Sequence, residues 1–70
     1  MSQEFTIILN GAPHPIAGPV TLDRLLETLG LAGKPVVVEL NAQAVSPRDY
    51  PHTLVENGAC IEIVTLAAGG

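Results

Sequence analysis

The sequence has only one cysteine among its 70 residues. A single cysteine cannot form a disulfide within the chain, nor supply the ligands of a cysteine-based zinc or iron–sulfur site. Basic residues are also few, because Arg24, Lys34 and Arg48 stand against seven acidic residues, for a net charge of −4. Phosphate contacts need clustered Lys or Arg, so this balance argues against nucleic-acid binding and favours a protein partner with a basic docking face.

Long apolar runs are missing too, and no stretch approaches the length that would cross a membrane. The first residues, Met1-Ser2-Gln3-Glu4, lack the basic segment of a secretory signal. Both absences predict a soluble, cytoplasmic protein with no membrane partner. At 70 residues and 47% hydrophobic content, the chain is expected to form one small domain whose thin core leaves no room for an internal catalytic cavity.

The chain opens with the pattern of a β-hairpin. Phe5–Leu9 is rich in β-branched and aromatic residues, as strands are, and Asn10-Gly11 is a strong signal for a tight turn. The returning strand contains Pro13 and Pro15, which lack an amide hydrogen. Proline belongs at the edge of a sheet, so this strand is predicted to lie there.

One amphipathic helix follows, with Thr21 as its predicted N-cap and Gly30 as its predicted stop. Its apolar stripe consists of Leu22, Leu25, Leu26 and Leu29, spaced as one face of a helix. Such a stripe is typical of a side packed against the core.

The second half of the chain predicts further strands. Val36–Leu40 is nearly continuous apolar and is predicted to be a central strand, covered on much of both faces. Gln43–Val45 predicts a brief strand, Asn57-Gly58 a turn, and residues 60–66 the last strand. Residues 46–52 contain two prolines and are expected to be irregular, with one 3₁₀ turn.

A single helix among these strands predicts an α+β fold, a mixed four- to five-stranded sheet packed on one main helix. The helix joins the second strand to the third, which favours a right-handed crossover to a parallel neighbour.

The chain ends in Ala67-Ala68-Gly69-Gly70, which adds no packing and keeps maximal backbone freedom. We therefore divide it into a domain, residues 1–66, and a flexible tail, residues 67–70. Such a narrow arm could carry the carboxylate of Gly70 into the active site of another protein.

Alternation along the last strand places Glu62, Val64 and Leu66 outward. If the first strand lies beside the last, Ile8 joins them at the root of the tail. Exposed apolar patches on small domains mark partner surfaces. We therefore predict a partner-binding patch made of Ile8, Glu62, Val64 and Leu66.

Several segments in this order carry a family resemblance: Val38-Glu39-Leu40-Asn41, Val45-Ser46-Pro47-Arg48, Asn57-Gly58 with Ile61-Glu62-Ile63-Val64, and Gly69-Gly70. Together with the helix, they resemble the ThiS family, the sulfur carriers of thiamin biosynthesis, over essentially the whole chain. The resemblance implies the ubiquitin-like β-grasp fold. The chain departs from the family pattern at Tyr50, where tryptophan is frequent, and at Ala59, where aspartate is common; neither residue is expected to contact the tail.

The resemblance also implies a chemistry. A ThiF-type adenylating enzyme would use ATP and Mg²⁺ to activate the Gly70 carboxylate, and sulfur from a cysteine desulfurase would convert it to a thiocarboxylate. A ThiG-type thiazole synthase would then take that sulfur. The partners bring the catalytic groups, so the chain is expected to be a carrier that binds no cofactor or metal of its own.

Two related functions remain open at this point. The small subunit of molybdopterin synthase shares the fold and the diglycine end, and a ubiquitin-like modifier would be conjugated through Gly70. An enzyme is disfavoured, because the candidate groups do not form a recognisable nucleophile, base and metal-ligand pattern. Those groups are Cys60, His14, His52, Asp49 and Tyr50.

Overall fold

The structure, a computed structural model, describes residues 4–66. Its elements in chain order are β1 (Phe5–Leu9), β2 (Ala12–Ile16), β3 (Val20–Thr21), α1 (Leu22–Thr28), β4 (Val36–Leu40), β5 (Gln43–Val45), a 3₁₀ helix (Pro47–His52), β6 (Leu54–Val55) and β7 (Cys60–Thr65).

Five strands form one mixed sheet in the order β2-β1-β7-β4-β5, while β3 pairs with β6 in a separate ribbon. Strands β1 and β7 run parallel, and the other neighbours in the sheet are antiparallel. The predicted mixed sheet with one main helix is confirmed, and β2 lies at an edge as its prolines indicated.

The predicted crossover is wrong in one respect. β4 runs parallel to β2, but β1 and β7 lie between them, so the two are not neighbours. In the tight hairpin of β1 and β2, Pro13 and Pro15 pair with Ile8 and Thr6 at positions where the β2 nitrogens point away from β1. The free edge of β2 therefore lacks two donors, and no further strand can pair there regularly.

The core lies between the sheet and α1. The side chains that are at most 1% exposed come from the sheet, the helix and the ribbon: Ile7, Leu22, Leu25, Val38, Val55 and Ile61. Leu26 of the predicted stripe is also buried, whereas Leu29 packs against the core only in part. The helix stripe prediction is thus confirmed for three of its four leucines.

Gly30 ends the helix, as predicted. Its φ of 75° lies in the left-handed region that glycine adopts without steric cost. The N–H of Gly30 donates to the carbonyl of Glu27 at 3.0 Å, and the N–H of Leu31 donates to the carbonyl of Leu26 at 2.8 Å. These two bonds form a Schellman motif and satisfy carbonyls that the helix leaves unpaired.

Two asparagine side chains complete the short parallel ladder between β1 and β7. At one end, the N–H of Thr6 donates to Oδ1 of Asn57 at 2.8 Å. At the other end, Nδ2 of Asn10 donates to the carbonyl of Ile63 at 3.2 Å, and the N–H of Ile63 donates to Oδ1 of Asn10 at 2.7 Å. The turn residues therefore also fix the position of β7, the strand that leads to the tail.

Candidate docking face at the root of the C-terminal tail

The residues predicted to carry and present sulfur, Ala67, Ala68, Gly69 and Gly70, lie outside the described residues. Their roles and the domain boundary at residue 66 stay predictions. The last described residue is Leu66, whose N–H donates to the carbonyl of Pro35 at 2.9 Å. This bond extends the pairing of β7 with β4 to the last described residue.

The side of the sheet that faces away from α1, which we call the outer face, carries three of the four large hydrophobic side chains that are exposed among residues 4–66. Val37 and Val64 lie directly opposite each other on β4 and β7, and they are 43% and 58% exposed. Leu66, at 49% exposed, follows Val64 on the same side. Among residues 4–66, the only other large exposed hydrophobic residue is Leu54, on the ribbon.

Ile8 does not join this apolar group, so that part of the predicted patch is wrong. The parallel register sets Ile8 beside Cys60, at the start of β7. Val64 comes four residues later, which is about 13 Å along the strand. The sequence does not fix the register of these two parallel strands. It is held by backbone bonds from the N–H groups of Ile8 and Asn10 to the carbonyls of Ala59 and Ile61, together with the asparagine bonds at both ends of the ladder.

Val37 and Glu39 belong to the outer face, although the sequence predicted β4 to be covered on much of both faces. Only Val38 of this strand is buried, while Val37 and Glu39 are exposed. A single helix covers one face of the sheet, so β4 has one open side. The polar Glu39 within an apolar run was the signal that could have revealed it.

Glu39 and Glu62 lie directly opposite each other on the outer face, and both side chains are exposed. The bonds Leu66 N–H to Pro35 and Asn41 N–H to Cys60 bracket this ladder and make Glu39–Glu62 a hydrogen-bonded pair. The Cα atoms of such a pair are about 5.5 Å apart. Neither strand contains a lysine or arginine. The outer face therefore combines apolar side chains with two adjacent negative charges.

Two of the candidate catalytic residues, Cys60 and His14, lie on opposite faces of the sheet, and the other three lie on the 3₁₀ helix. Cys60 pairs with Ile8 and His14 with Ile7, and these consecutive positions of β1 point to opposite faces of the sheet. His14 therefore cannot act as a base for Cys60. Asp49 and His52 belong to the 3₁₀ helix, which packs against α1. Within residues 4–66, no three His, Cys, Asp or Glu side chains lie close enough together to hold a metal ion.

Tyr50, the remaining candidate, is a buried residue beside a surface groove of about 380 Å³ between α1 and the 3₁₀ helix. Its hydroxyl has no hydrogen-bond partner within residues 4–66. Burial raises the pKa of the Tyr50 phenol above its ordinary value. The raised pKa makes the phenol a weaker acid than an exposed tyrosine.

The helix in the described part of the chain is neither long nor apolar enough to cross a membrane.

Comparison with known proteins gives consistent matches. Residues 7–70 match the model of the ThiS family. The chain is 39% identical over 62 residues to the sulfur carrier protein ThiS of Thermus thermophilus, covering 89% of this chain and 95% of that protein. It is 31% identical over 64 residues to a thiazole synthase of Paramagnetospirillum magneticum, covering 91% of this chain but 20% of that longer protein.

Among solved structures, the crystal structure of the thiamine biosynthesis protein ThiS from Geobacter metallireducens is similar with a TM-score of 0.82 and 28% sequence identity. The match covers 94% of this chain and 100% of that one. The β-grasp prediction is confirmed by this match together with the sheet order and the single packed helix.

Proposed function

The chain belongs to the ThiS family, and on that premise we propose that it is a sulfur carrier for thiamin biosynthesis, with Gly70 as the residue that carries the sulfur. The observation that supports this most directly is the family match over residues 7–70, which includes the terminal Gly69-Gly70. The described fold adds a physical reason, because it holds the chain at one end of the sheet as far as Leu66, four residues before Gly70.

The first step is activation of the carboxylate. A free carboxylate is a poor acyl donor, so an adenylating enzyme of the ThiF type joins it to AMP, using ATP and Mg²⁺ and releasing pyrophosphate. The product is an acyl adenylate on Gly70. All groups that bind ATP belong to the partner, and this chain contributes the carboxylate.

The second step brings in sulfur. The terminal sulfur of a persulfide, supplied by a cysteine desulfurase, attacks the acyl carbon and AMP leaves. A second thiol then cleaves the sulfur–sulfur bond, which yields the thiocarboxylate of Gly70 and a disulfide between the donor sulfur and that thiol. The thiocarboxylate is a good nucleophile, suited to giving its sulfur to a thiazole ring.

The consumer of this sulfur is a thiazole synthase of the ThiG type. A segment similar to this chain forms part of a longer protein named thiazole synthase, which supports a shared task for the two kinds of protein. The ThiF-type enzyme and the cysteine desulfurase are inferred from the chemistry that Gly70 requires. ATP and reduced thiols are both abundant in the cytoplasm, where we place the reaction.

The proposal is tested by intact mass after incubation with ATP, Mg²⁺, the ThiF-type enzyme and a persulfide donor. We expect one oxygen to be replaced by sulfur, and fragmentation should assign the change to Gly70. Thiazole synthase and molybdopterin synthase assays with the loaded protein then identify the pathway. A matched control is the same protein with Gly70 ended as a carboxamide, which should never load.

Two results would contradict the proposal. One is an unchanged mass when the partner enzymes are active on an authentic ThiS protein. The other is a ladder of conjugates to protein lysines that survives thiol treatment, which would indicate a ubiquitin-like modifier. The carboxamide form should melt at the same temperature as the acid, because the last hydrogen-bonded residue in the described structure is Leu66.

A further inference from the structure

The outer face retains an arrangement that is unfavourable for the isolated protein. Glu39 and Glu62 occupy one hydrogen-bonded pair of an antiparallel ladder, and both are exposed. Like charges placed directly opposite each other destabilise a sheet. Neither β4 nor β7 contributes a basic side chain that could relieve the repulsion.

The two carboxylates lie in line with the exposed apolar side chains. Along the same two strands, the next outward pair after Glu39 and Glu62 is Val37 and Val64, about 7 Å further on. Leu66 follows at the root of the tail. A protein that binds the residues after Leu66 would therefore contact Val37 and Val64 next, and then Glu39 and Glu62 further along the same face.

We propose that the adenylating enzyme docks on this face with a lysine or arginine between Glu39 and Glu62, while its apolar surface covers Val37, Val64 and Leu66. This inference rests on the proposed function, since it takes the adenylating enzyme as the partner. The partner's cation would relieve the repulsion between the two carboxylates. The pair therefore destabilises the free protein and stabilises the complex.

Charge complementarity disfavours a second copy of this chain, nucleic acid and acidic lipid as occupants of the outer face. A second copy of the chain would bring its own carboxylate pair against the first, and the chain already carries a net charge of −4. Nucleic acid and acidic lipid are repelled for the same reason. An enzyme that binds ATP and a carboxylate must carry cationic groups around its active site, and Leu66 leads the chain into that site.

The test measures stability and affinity in the same variants. Glu39→Gln, Glu62→Gln and the double variant keep the side-chain shape and remove the charge. We expect melting temperature to rise by about 2–4 °C in the double variant. We expect the Kd for the ThiF-type enzyme, measured by calorimetry, to increase by about tenfold for each single change.

Glu39→Lys sharpens the test, because it creates an ion pair with Glu62 across the strands. It should raise the melting temperature, yet weaken binding more than either glutamine variant. Glu56→Gln, in the exposed turn before β7, is the control for the loss of one charge. It should change neither quantity. Rising salt should weaken binding of the unaltered protein more than that of the double glutamine variant.

Unchanged affinity in the double variant, or an equal loss in Glu56→Gln, would overturn the proposed contact. A fall in melting temperature in both glutamine variants would contradict the repulsion on which it rests. These results are separable from failure of the proposed function: if Gly70 loads with sulfur but the variants bind normally, the function stands and the contact is wrong. If the variants lose binding while Gly70 never loads, the contact stands and the carrier chemistry is wrong.

Discussion

The two faces of β7 differ sharply although they belong to one strand. Ile61 and Ile63 point toward the core and are 1% and 8% exposed, whereas Val64 is 58% exposed and Leu66, just after the strand, is 49% exposed. Aliphatic side chains are thus packed in the core on one face of the strand and exposed to solvent on the other. Hydrophobicity alone does not tell these roles apart, and the position of the single helix does.

The largest expected difference between the two faces of β7 is in the free energy of unfolding when a side chain is truncated to alanine. Ile61→Ala leaves a cavity in the core and should lower the free energy of unfolding by about 2–5 kcal/mol. Val64→Ala removes an exposed side chain and should lower it by less than about 0.5 kcal/mol. Chemical denaturation measures both. A comparable loss in the two variants would mean that the outer face is covered by part of the protein itself.

A change on the outer face should affect binding to the adenylating enzyme more than it affects stability. Val64→Asp should weaken binding to the adenylating enzyme by about tenfold or more, because it places a charge at the centre of the apolar group. Its melting temperature should change little, since the side chain is exposed. Calorimetric titration with the enzyme is the measurement, and Leu54→Asp, exposed on the ribbon, is the matched control. A collapse of melting temperature in Val64→Asp would show that Val64 packs inward.

The asparagine that fixes β7 should have an effect of intermediate size. Asn10→Gly keeps the left-handed turn conformation, at φ 49°, but removes both hydrogen bonds to Ile63. We expect a loss of about 1–2 kcal/mol in the free energy of unfolding. Asn10→Asp keeps the acceptor and should lose less. Equal stability of Asn10→Gly and the unaltered protein would mean that the turn alone sets the register of β7.

The smallest effect is expected at Tyr50. Removing a buried hydroxyl that has no partner in residues 4–66 should leave Tyr50→Phe about as stable at neutral pH. Because burial raises the pKa of Tyr50 above its ordinary value, the folded state holds this proton longer than the unfolded state does. The stability that comes from keeping the Tyr50 phenol protonated is fully present below about pH 10, the ordinary pKa of tyrosine. It is lost as pH rises through the higher pKa that Tyr50 has in the folded protein.

Alkaline denaturation curves compare the two proteins directly. The unaltered chain should lose stability more steeply above about pH 10 than Tyr50→Phe. Tyr50 is the only tyrosine and there is no tryptophan, so ultraviolet absorbance reports its ionisation without interference. Parallel curves for the two proteins would contradict the burial of the phenol.

Local features of the fold were predictable because they rest on short-range physics. The turn at Asn10-Gly11, the edge position of the proline-containing strand and the stop at Gly30 follow from backbone preferences of a few residues. The outward position of Val64 and Leu66 follows from strand alternation. The family resemblance supplied the proposed role of Gly70, for which no physical pattern in the chain is sufficient.

The composition of the docking face was only half predictable. Alternation placed Glu62 and Val64 outward, but nothing local indicated that Val37 and Glu39 would lie opposite them or that Ile8 would lie beside Cys60. Those pairings join residues far apart in the chain. They depend on which strands are neighbours and on the register between them.

The sequence by itself determined the strands of the main sheet, the helix, the sides of the last strand and the diglycine end, because propensity and periodicity act within a few residues. Only the tertiary structure decided that β7 lies between β1 and β4, and that two glutamates face each other there. The reason is physical: the bonds that hold β7 beside β1, from the Thr6 N–H to Asn57 and between Asn10 and Ile63, span 51 and 53 residues. The bonds that set the register of the two glutamates, from the Leu66 N–H to Pro35 and from the Asn41 N–H to Cys60, also join separate segments of the chain. They exist only once the chain has folded.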